Sequence, residues 1–394
     1  MGNRVVVKFG GADLATGEKV RKAAEMVVNA NFKETVVVVS AMGDTTDNLI
    51  RMISQIGNIS DKDYADIVSM GERTSARVFC SALKALGADA VYIEPSHEEW
   101  PIITDSNFRD AKPLMDETCK RASEYIEPIL SKGKIVVVCG FLGRDRNGNI
   151  TTLGRGGSDT TALILANCLK ADEVILVKET EGVLSADPKV VEKPRTIDKI
   201  DIHEMFALAH GGAKIIKAEA LKYKLPGQKL KVVSFSSGDL RSPGTEIIGV
   251  FNSSSFEIKE REGLAAISLI CDIAPETLSQ IFATLAGNEI FGVSTGRKSI
   301  TVFVTTQNLK DLMNKLHGLS VIKALSCLTN VGLIEVSHPV FVDSPGWVAK
   351  IAGALASKGI NIIEITTSKS TISIFIEEAK IKEAINVVRD ALEA

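Results

Sequence analysis

The residues with the most chemical potential lie in one stretch, TTLGRGGSDTTA, at 151–162. It follows an apolar run at 135–141 and a polar turn at 143–149. It leads into the helical spacing of Ala162, Leu163, Leu165, Ala166 and Leu169. The order is therefore strand, glycine-rich loop, helix entry. Gly154, Gly156 and Gly157 let the backbone approach a ligand closely. Ser158 or Asp159 can cap the helix. The free N–H groups and positive dipole end of a helix N-terminus suit an anion. Arg155 adds a planar fork of donors that fits a carboxylate or phosphate. Asp159 sets a negative charge beside that anion site, which calls for a cation or an ammonium group as well. A tight turn closed by an Arg155–Asp159 salt bridge explains the same residues, and local features do not separate the two readings.

The elements that would position this loop repeat a simple pattern. Apolar strands are expected at 4–8, 35–39, 90–93, 135–141 and 173–177, with helices at 13–29, 63–86, 113–131 and 159–169. Continuously apolar strands alternating with helices indicate an α/β architecture, a parallel sheet covered on both faces. Ligands on such sheets sit beyond the carboxyl ends of the strands. Four Gly/Ser/Thr-rich loops fall there: FGGAD (9–13), SAMGDTTD (40–47), the segment after Phe141, and KETEGVLSADPK (178–189). Their shared placement turns four ordinary turns into one candidate site.

Residues 201–223 are helical in spacing, with a break at Gly211-Gly212, and are followed by a strand at 231–235 and a turn-rich segment at 236–244. The polar, serine-rich FNSSSFEIKEREG at 251–263 marks a domain boundary. Beyond it the order is strand 264–271, helix 275–286, strands 290–294 and 300–305, helix 309–317 and strand 321–328. It then begins again with strand 332–338, helix 345–358, strands 361–367 and 371–377, and helix 381–392. This is a degenerate βαββα repeat, which serves equally well as packing modules or as a ligand-binding pair.

At 394 residues the chain has room for two or three domains. Apolar content of 45% and charged content of 24% are those of a soluble protein. A net charge of -3 gives no reason to propose a nucleic-acid or bilayer partner. Arg4 and Lys8 flank VVV with no long apolar core, so no signal peptide is expected, and no run approaches a membrane span. Cys80, Cys119, Cys139, Cys168, Cys271 and Cys327 form no C-x-x-C, and most fall in apolar runs. They read as reduced core residues of a cytoplasmic protein. The five histidines are dispersed, none at zinc spacing with a cysteine, so no metal site is expected from the chain itself.

Several motifs occur in a fixed order. They are Lys8-Phe9-Gly10-Gly11; Val39-Ser40-Ala41-Met42-Gly43 with Thr45-Thr46-Asp47; Met70-Gly71-Glu72-Arg73; Thr104-Asp105-Ser106-Asn107-Phe108; Gly140-Phe141-Leu142-Gly143; 153–162; Gly182 with Ala186-Asp187-Pro188; and Gly212-Ala213-Lys214. Taken together they resemble the aspartate kinases of the amino-acid kinase family. Any one motif is weak, and the set in register is specific. The match covers the first 250 residues, and the tail resembles the paired ACT domains that aspartate kinases carry. The resemblance implies a three-layer αβα catalytic domain with a mainly parallel sheet at 1–250 and a linker at 251–263. Two ferredoxin-like βαββαβ ACT domains at 264–330 and 331–394 would follow. The chain departs from the family pattern at Ala12-Asp13, where Thr-Ser is usual, and at Leu184, where an aromatic is usual. Lys189 stands where Arg is common. These changes bear on nucleotide affinity and preference more than on the reaction. The first ACT-like unit lacks the D-x-P-G turn that the second shows as Asp343-Ser344-Pro345-Gly346.

What the resemblance implies is ATP-dependent phosphorylation of the side-chain carboxylate of L-aspartate, the first step toward lysine, threonine and methionine. A carboxylate is already ionised at neutral pH, so the nucleophile needs no general base. The reaction needs charge neutralisation and alignment instead. Lys8 and Asp159 are the expected catalytic pair, Lys8 on the phosphates and Asp159 organising Lys8 or the Mg2+ shell. Ser40, Thr46, Glu72, Arg155 and Ser158 are expected to hold the substrate, Glu72 its ammonium and Arg155 its α-carboxylate. Gly10, Gly11, Lys178, Glu179, Gly182, Asp187, Lys189 and Lys214 are expected around the nucleotide, although Asp187-Pro188 also suits a plain turn. Mg2+ is expected to arrive with ATP, held by few protein carboxylates. ACT domains imply amino-acid control by lysine or threonine, gripped by Asp343, Ser344, Gly346, Trp347, Asn361 and Ile362, and pairing into a homodimer. A capped helix with no ligand accounts for the same turn. A kinase of this fold acting on another carboxylate, and a catalytically silent amino-acid sensor, are the competing readings.

Overall fold

The computed structural model describes residues 4–213, 215–251 and 255–393. The chain divides after Phe251 into two compact units. In the first, eight strands form one sheet: β1 (Arg4–Phe9), β2 (Glu34–Val39), β3 (Ala90–Ile93), β4 (Ile135–Cys139), β5 (Glu173–Lys178), β6 (Lys199–Asp201), β7 (Lys229–Ser234) and β8 (Thr245–Ile248). Their order is β6-β8-β7-β5-β1-β2-β4-β3. The six from β7 to β3 are mutually parallel, and β8 runs antiparallel to β7. Val5 to Val7, Val36 to Val39, Val136 to Val138 and Val174 to Val177 are fully buried. β-branched side chains suit strands that are covered on both faces.

Helices α1 (Gly17–Ala30), α2 (Thr45–Ile56), α3 (Asp61–Ala85), α4 (Met115–Arg121) and α5 (Gly157–Cys168) belong to this unit. Successive side chains of a strand point to opposite faces. Phe9 accordingly meets Phe79 of α3, with ring centroids 5.4 Å apart, while Lys8 meets Asp159 of α5. The central strand thus carries a hydrophobic contact on one face and an ion pair on the other.

Several expectations need correction. The loop at 40–47 runs straight into α2, a helix not expected there although Leu49, Met52, Ile53 and Ile56 fall at helical spacing. The polar turn at 143–149 is a hairpin of Leu142–Asp145 and Ile150–Thr152 that joins Ile103–Thr104 in a small side sheet. The strand expected to reach 141 ends at Cys139, and Phe141 turns out of it with φ 66°. The single helix expected at 113–131 widens to a π-helical turn at Ala122–Ile126, just before Pro128, whose ring nitrogen cannot donate. The cysteines are not all reduced: Cys119 of α4 and Cys168 at the end of α5 form a disulfide. The fold lays these helix ends side by side across 49 residues of sequence, a proximity that no local spacing reveals. Cys80, Cys139, Cys271 and Cys327 are free.

The second unit is one six-stranded antiparallel sheet. Its strands are β9 (Glu257–Ile270), β10 (Ile290–Thr295), β11 (Ser299–Thr305), β12 (Ala324–Ser337), β13 (Ile362–Ser368) and β14 (Thr371–Glu377). They lie in the order β10-β11-β9-β12-β14-β13. Residues 257–263, expected as linker, are the first half of β9. Residues 257–261 pair with Leu333 to Ser337 of β12, and 264–270 pair with the other half, with bulges between. The two βαββα repeats therefore share their long strands. The first repeat, 264–330, is the expected βαββαβ unit with four strands of its own, and the first half of β9 supplies the strand that completes the second repeat after its last helix. Helices Pro275–Thr284 and Leu309–His317 cover one half, and Trp347–Ser357 and Ile381–Glu393 the other. On the remaining face Phe303 stacks on Phe375, centroids 3.7 Å apart.

Candidate active site

Because β1, β2, β4 and β5 are parallel, their carboxyl ends and following loops meet at one edge of the sheet. Lys8 sits one residue before the end of β1 and is 5% exposed. Its Nζ is 2.8 Å from Asp159 Oδ1. Asp159 is 4% exposed in the first turn of α5. Lys178, the last residue of β5, donates to both Asp159 oxygens at 3.4 Å. The Lys217 backbone N–H reaches Oδ2, also at 3.4 Å. Burial alone would raise the Asp159 carboxyl, but Lys178 and Lys8 hold it down to about 2. Burial lowers Lys178 to about 8 against the pull of Asp159. Two lysines from neighbouring strands thus converge on one helix-borne carboxylate.

The entry to α5 explains how Asp159 arrives there. Gly154 and Gly156 have φ of 71° and 74°, a left-handed conformation that glycine adopts without steric cost. Gly156 is the N-cap, with no side-chain cap. Neither Ser158 nor Asp159 caps the helix. Ser158 is buried against Gly140, where a Cβ would lie 2.7 Å from its Cβ and Oγ. Arg155 is exposed and has no partner among the described residues, so the Arg155–Asp159 salt bridge does not form.

A second group forms where α3 crosses the loop after β2. Glu72 lies mid-helix, not at an element boundary, and is 3% exposed. Its Oε1 accepts the Ala41 N–H at 3.1 Å, and its Oε2 has no partner among the described residues. Burial pushes its carboxyl up to about 7, with the Ala41 N–H pulling the other way. A Cβ at Gly71 would lie 2.7 Å from the Ala41 Cβ and 3.5 Å from Thr46 Oγ1. The bare glycine lets α3 dock against this loop and sets Thr46 beside Glu72. The Ser40 N–H donates to the Phe9 carbonyl at 3.2 Å, and the Gly43 N–H to the Gly11 carbonyl at 2.9 Å. A Cβ on Gly11 would meet the Ala41 carbonyl oxygen at 2.6 Å. The loops after β1 and β2 are thereby fastened together, with Gly10, Gly11 and Ser40 at the junction.

Two residues at this edge had no assigned role in the sequence reading. Lys217 contributes its backbone N–H to Asp159, packs over Gly156, and donates its Nζ to the Leu153 carbonyl at 3.0 Å. Asp13 is 1% exposed, and its Oδ2 accepts the Gly10 N–H at 3.0 Å. Burial pushes the Asp13 carboxyl up to about 6, although the Gly10 N–H, Lys8 and Lys178 lower it. The available signal for Asp13 was its departure from the Thr-Ser pattern. For Lys217 there was none beyond its nearness to Lys214.

The other expected nucleotide residues do not join the Asp159 cluster, although the charge of Glu179 raises the Asp13 carboxyl. Glu179 is exposed and pairs with Lys19 at 2.9 Å. Gly182 has φ 94° and packs where a Cβ would strike Thr245 Oγ1 at 2.6 Å. Asp187 is exposed and accepts the Lys189 N–H at 2.9 Å, the plain-turn arrangement, and Lys189 is exposed too. Lys214 lies outside the described residues. In the second unit, Gly346, with φ 98°, is the N-cap of the helix Trp347–Ser357, so neither Ser344 nor Pro345 opens it. Trp347 packs on Phe256 and Phe341, Asn361 is exposed, and Ile362 lies against the core of that half. The Asp343 side chain lies outside the described part.

Among the described residues no group of three or more His, Cys, Asp or Glu could hold a metal ion, and no helix is long and apolar enough to cross a membrane.

Comparison with known proteins adds to this geometry. The amino acid kinase family model matches residues 3–234, and an ACT domain model matches residues 330–390. An aspartokinase of Pseudomonas aeruginosa is 34% identical over 99% of this chain and 97% of its own. The crystal structure of an aspartate kinase from Synechocystis superposes with a TM-score of 0.76 at 26% identity, covering 99% of this chain and 70% of that one. Aspartokinase III of E. coli, solved with aspartate and ADP, superposes at a TM-score of 0.57 and 21% identity, covering 99% of this chain and all of that one. Solved with lysine and aspartate, it superposes at 0.55 and 22%, covering 98% of each chain.

Proposed function

The chain belongs to the amino acid kinase family, among its aspartokinases, and from that premise we propose that it transfers the γ-phosphoryl group of ATP to the side-chain carboxylate of L-aspartate. The observation that carries this reading is the pair of buried, adjoining devices at one sheet edge. One is Lys8 and Lys178 gathered on Asp159, and the other is Glu72 with an oxygen to spare beside Thr46 and Ala41.

The chemistry asks little of a general base, because the attacking carboxylate is ionised at working pH. One of its oxygens forms the new bond to the γ-phosphorus. The bond from that phosphorus to the β–γ bridging oxygen breaks, its electron pair leaves with ADP, and the product is the mixed anhydride 4-phospho-L-aspartate. Lys8 and Lys178 offset charge that develops on the transferring oxygens, and such aimed cations act most strongly where water is excluded. Asp159 keeps the two ammonium groups in one geometry, which makes it a positioning residue for both. Gly10 and Gly11 allow the phosphates to lie along the loop. Glu72 receives the substrate ammonium, while Ser40, Thr46 and Ser158 donate hydroxyls to its oxygens. Arg155, exposed and without a partner among the described residues, closes on the α-carboxylate in bidentate fashion.

A divalent cation, Mg2+ in this reading, belongs to the nucleotide rather than to a resident site. Such a cation needs only one or two protein carboxylates. The residues fit it, because one buried Asp13 oxygen beside the glycine loop has no partner among the described residues. When bound, the cation neutralises the phosphates and holds their oxygens in register. The reading carries a cytoplasmic setting, where ATP and free aspartate occur. It also carries feedback by lysine or threonine through the second unit, supported by the ACT match at 330–390 and the Gly346 helix start.

The test is an acceptor panel with ATP and Mg2+, the acyl phosphate trapped as hydroxamate, with and without lysine and threonine. Product is expected with aspartate alone. Product with glutamate and none with aspartate points to another carboxylate substrate. Binding of lysine without turnover on any acceptor points to a sensor.

A further inference from the structure

Asp13 is a carboxylate in a place that should repel what the loop is built to hold. Its Oδ2 is used by the Gly10 N–H, but its Oδ1 is buried with no partner among the described residues. A point at the Cβ position of Gly10 lies 3.1 Å from Asp13 Oδ2 and 3.8 Å from Lys8 Nζ, so the carboxylate and the ammonium flank the same bare glycine. Yet Lys8 does not pair with Asp13, because Lys8 and Lys178 are both engaged by Asp159. Around the first glycine loop Lys8 and Lys178 face the buried Asp13 and Asp159, and the charge of the exposed Glu179 adds to that of Asp13. A buried carboxylate oxygen without a partner costs more than a neutral one. A polyphosphate brought beside it unaccompanied adds repulsion. A dication carried on the phosphates removes both penalties at once.

We propose that Asp13 selects the metal-loaded nucleotide, its free oxygen meeting the divalent cation on the phosphates directly or through a coordinated water. The assignment rests on the kinase reading for the nature of the ligand and adds to it a residue of this chain that favours the metal-loaded form. Asp13 is thus a specificity residue for the metal–nucleotide complex. Its bond to the Gly10 N–H fixes the carboxylate and leaves the other oxygen without a partner among the described residues.

The experiment uses the full chain and measures ADP affinity by calorimetry with and without Mn2+. It also measures Mn2+ affinity in the presence and absence of ADP by electron paramagnetic resonance. The two couplings must agree, since coupling free energy is reciprocal. In the unaltered chain Mn2+ should tighten ADP by about tenfold or more, a typical size for linked ligands. Asp13→Asn keeps an acceptor for the Gly10 N–H and removes the charge. It should bind metal-free ADP several times more tightly and lose most of the coupling. Asp13→Ser, a second variant of different shape, should behave in the same way. If both variants fold and keep the full coupling, Asp13 only closes the turn and the proposal is overturned. If the unaltered chain binds no ADP with Mn2+, both this proposal and the kinase reading fall. If the Asp13-dependent coupling is present but no aspartate is phosphorylated, Asp13 keeps its role and only the acceptor assignment fails.

Discussion

Asp159 is a buried carboxylate that survives in its ionised form because two ammonium groups reach it, and that mutual dependence sets what a substitution does. Lys8→Ala removes one cation and leaves Lys178 to neutralise Asp159 alone. The charge on the transferring group is greatest in the transition state, so turnover should fall by about 10²–10³ while the KM for aspartate changes little. Steady-state kinetics on the purified variant decide it, and near-normal turnover would remove Lys8 from the chemistry. Glu72 makes a prediction in pH. Burial raises its carboxyl to about 7, so below that value the ligand-free site is protonated and must lose a proton to receive an ammonium group. Aspartate affinity should therefore be about tenfold weaker at pH 6 than at pH 8, as one pKa unit per decade requires. Calorimetric titration across that range checks it, and Glu72→Gln should bind weakly with a flat profile. The stability sign is the reverse. A carboxyl raised on folding gives its stabilisation below its ordinary value and loses it as pH climbs through about 7. Glu72→Gln should accordingly raise the Tm of the ligand-free chain at pH 8, and a fall would contradict the buried, unpartnered oxygen.

At the scale of elements, close approaches of backbone hold the site together. Gly140→Ala places a Cβ 2.7 Å from Ser158 and must push the start of α5 away from β4. Overpacking of this kind costs about 1–3 kcal/mol, to be read as a lower denaturant midpoint together with a raised aspartate KM. The Cys119–Cys168 bond closes a long loop between α4 and α5. Loop closure of that length contributes up to about 4 kcal/mol. Reduction should lower the Tm of the first unit, and Cys119→Ser should reproduce the reduced value under oxidising conditions. The element level is also where the sequence was most and least legible. The valine runs of β1, β2, β4 and β5 announce a sheet buried on both faces, and they place the loops at Lys8, Ser40, Gly140 and Lys178 on one edge. Helix α2 was legible too, since Leu49, Met52, Ile53 and Ile56 lie at helical spacing, but the Gly- and Thr-rich segment 40–47 that leads into it reads as a loop. Lys217 escaped because it acts through a backbone N–H, which every residue has. The disulfide escaped because its partners meet only through tertiary packing.

On the scale of the whole chain, each unit answers a different need. The first gathers charge at the edge of a sheet. The second joins two repeats through the long strands β9 and β12, and the second repeat completes its sheet only with residues 257–261 of β9. The division falls after Phe251, at the start of the segment 251–263 expected as linker, and the later part of that segment is strand. The polar, charged residues 257–263 are edge-facing in composition yet paired as strand, and composition reads a solvated strand as linker. The central claim concerns the first unit's chemistry within the intact chain: a free side-chain carboxylate of aspartate is the phosphoryl acceptor. The most direct measurement is the initial rate of ADP release from Mg·ATP by the full chain with L-aspartate, set against L-aspartate whose side chain is blocked as the methyl ester. The account predicts ADP release with equal formation of acyl phosphate for aspartate, and none for the ester. ADP release at the same rate with the ester, or with no amino acid at all, would contradict it.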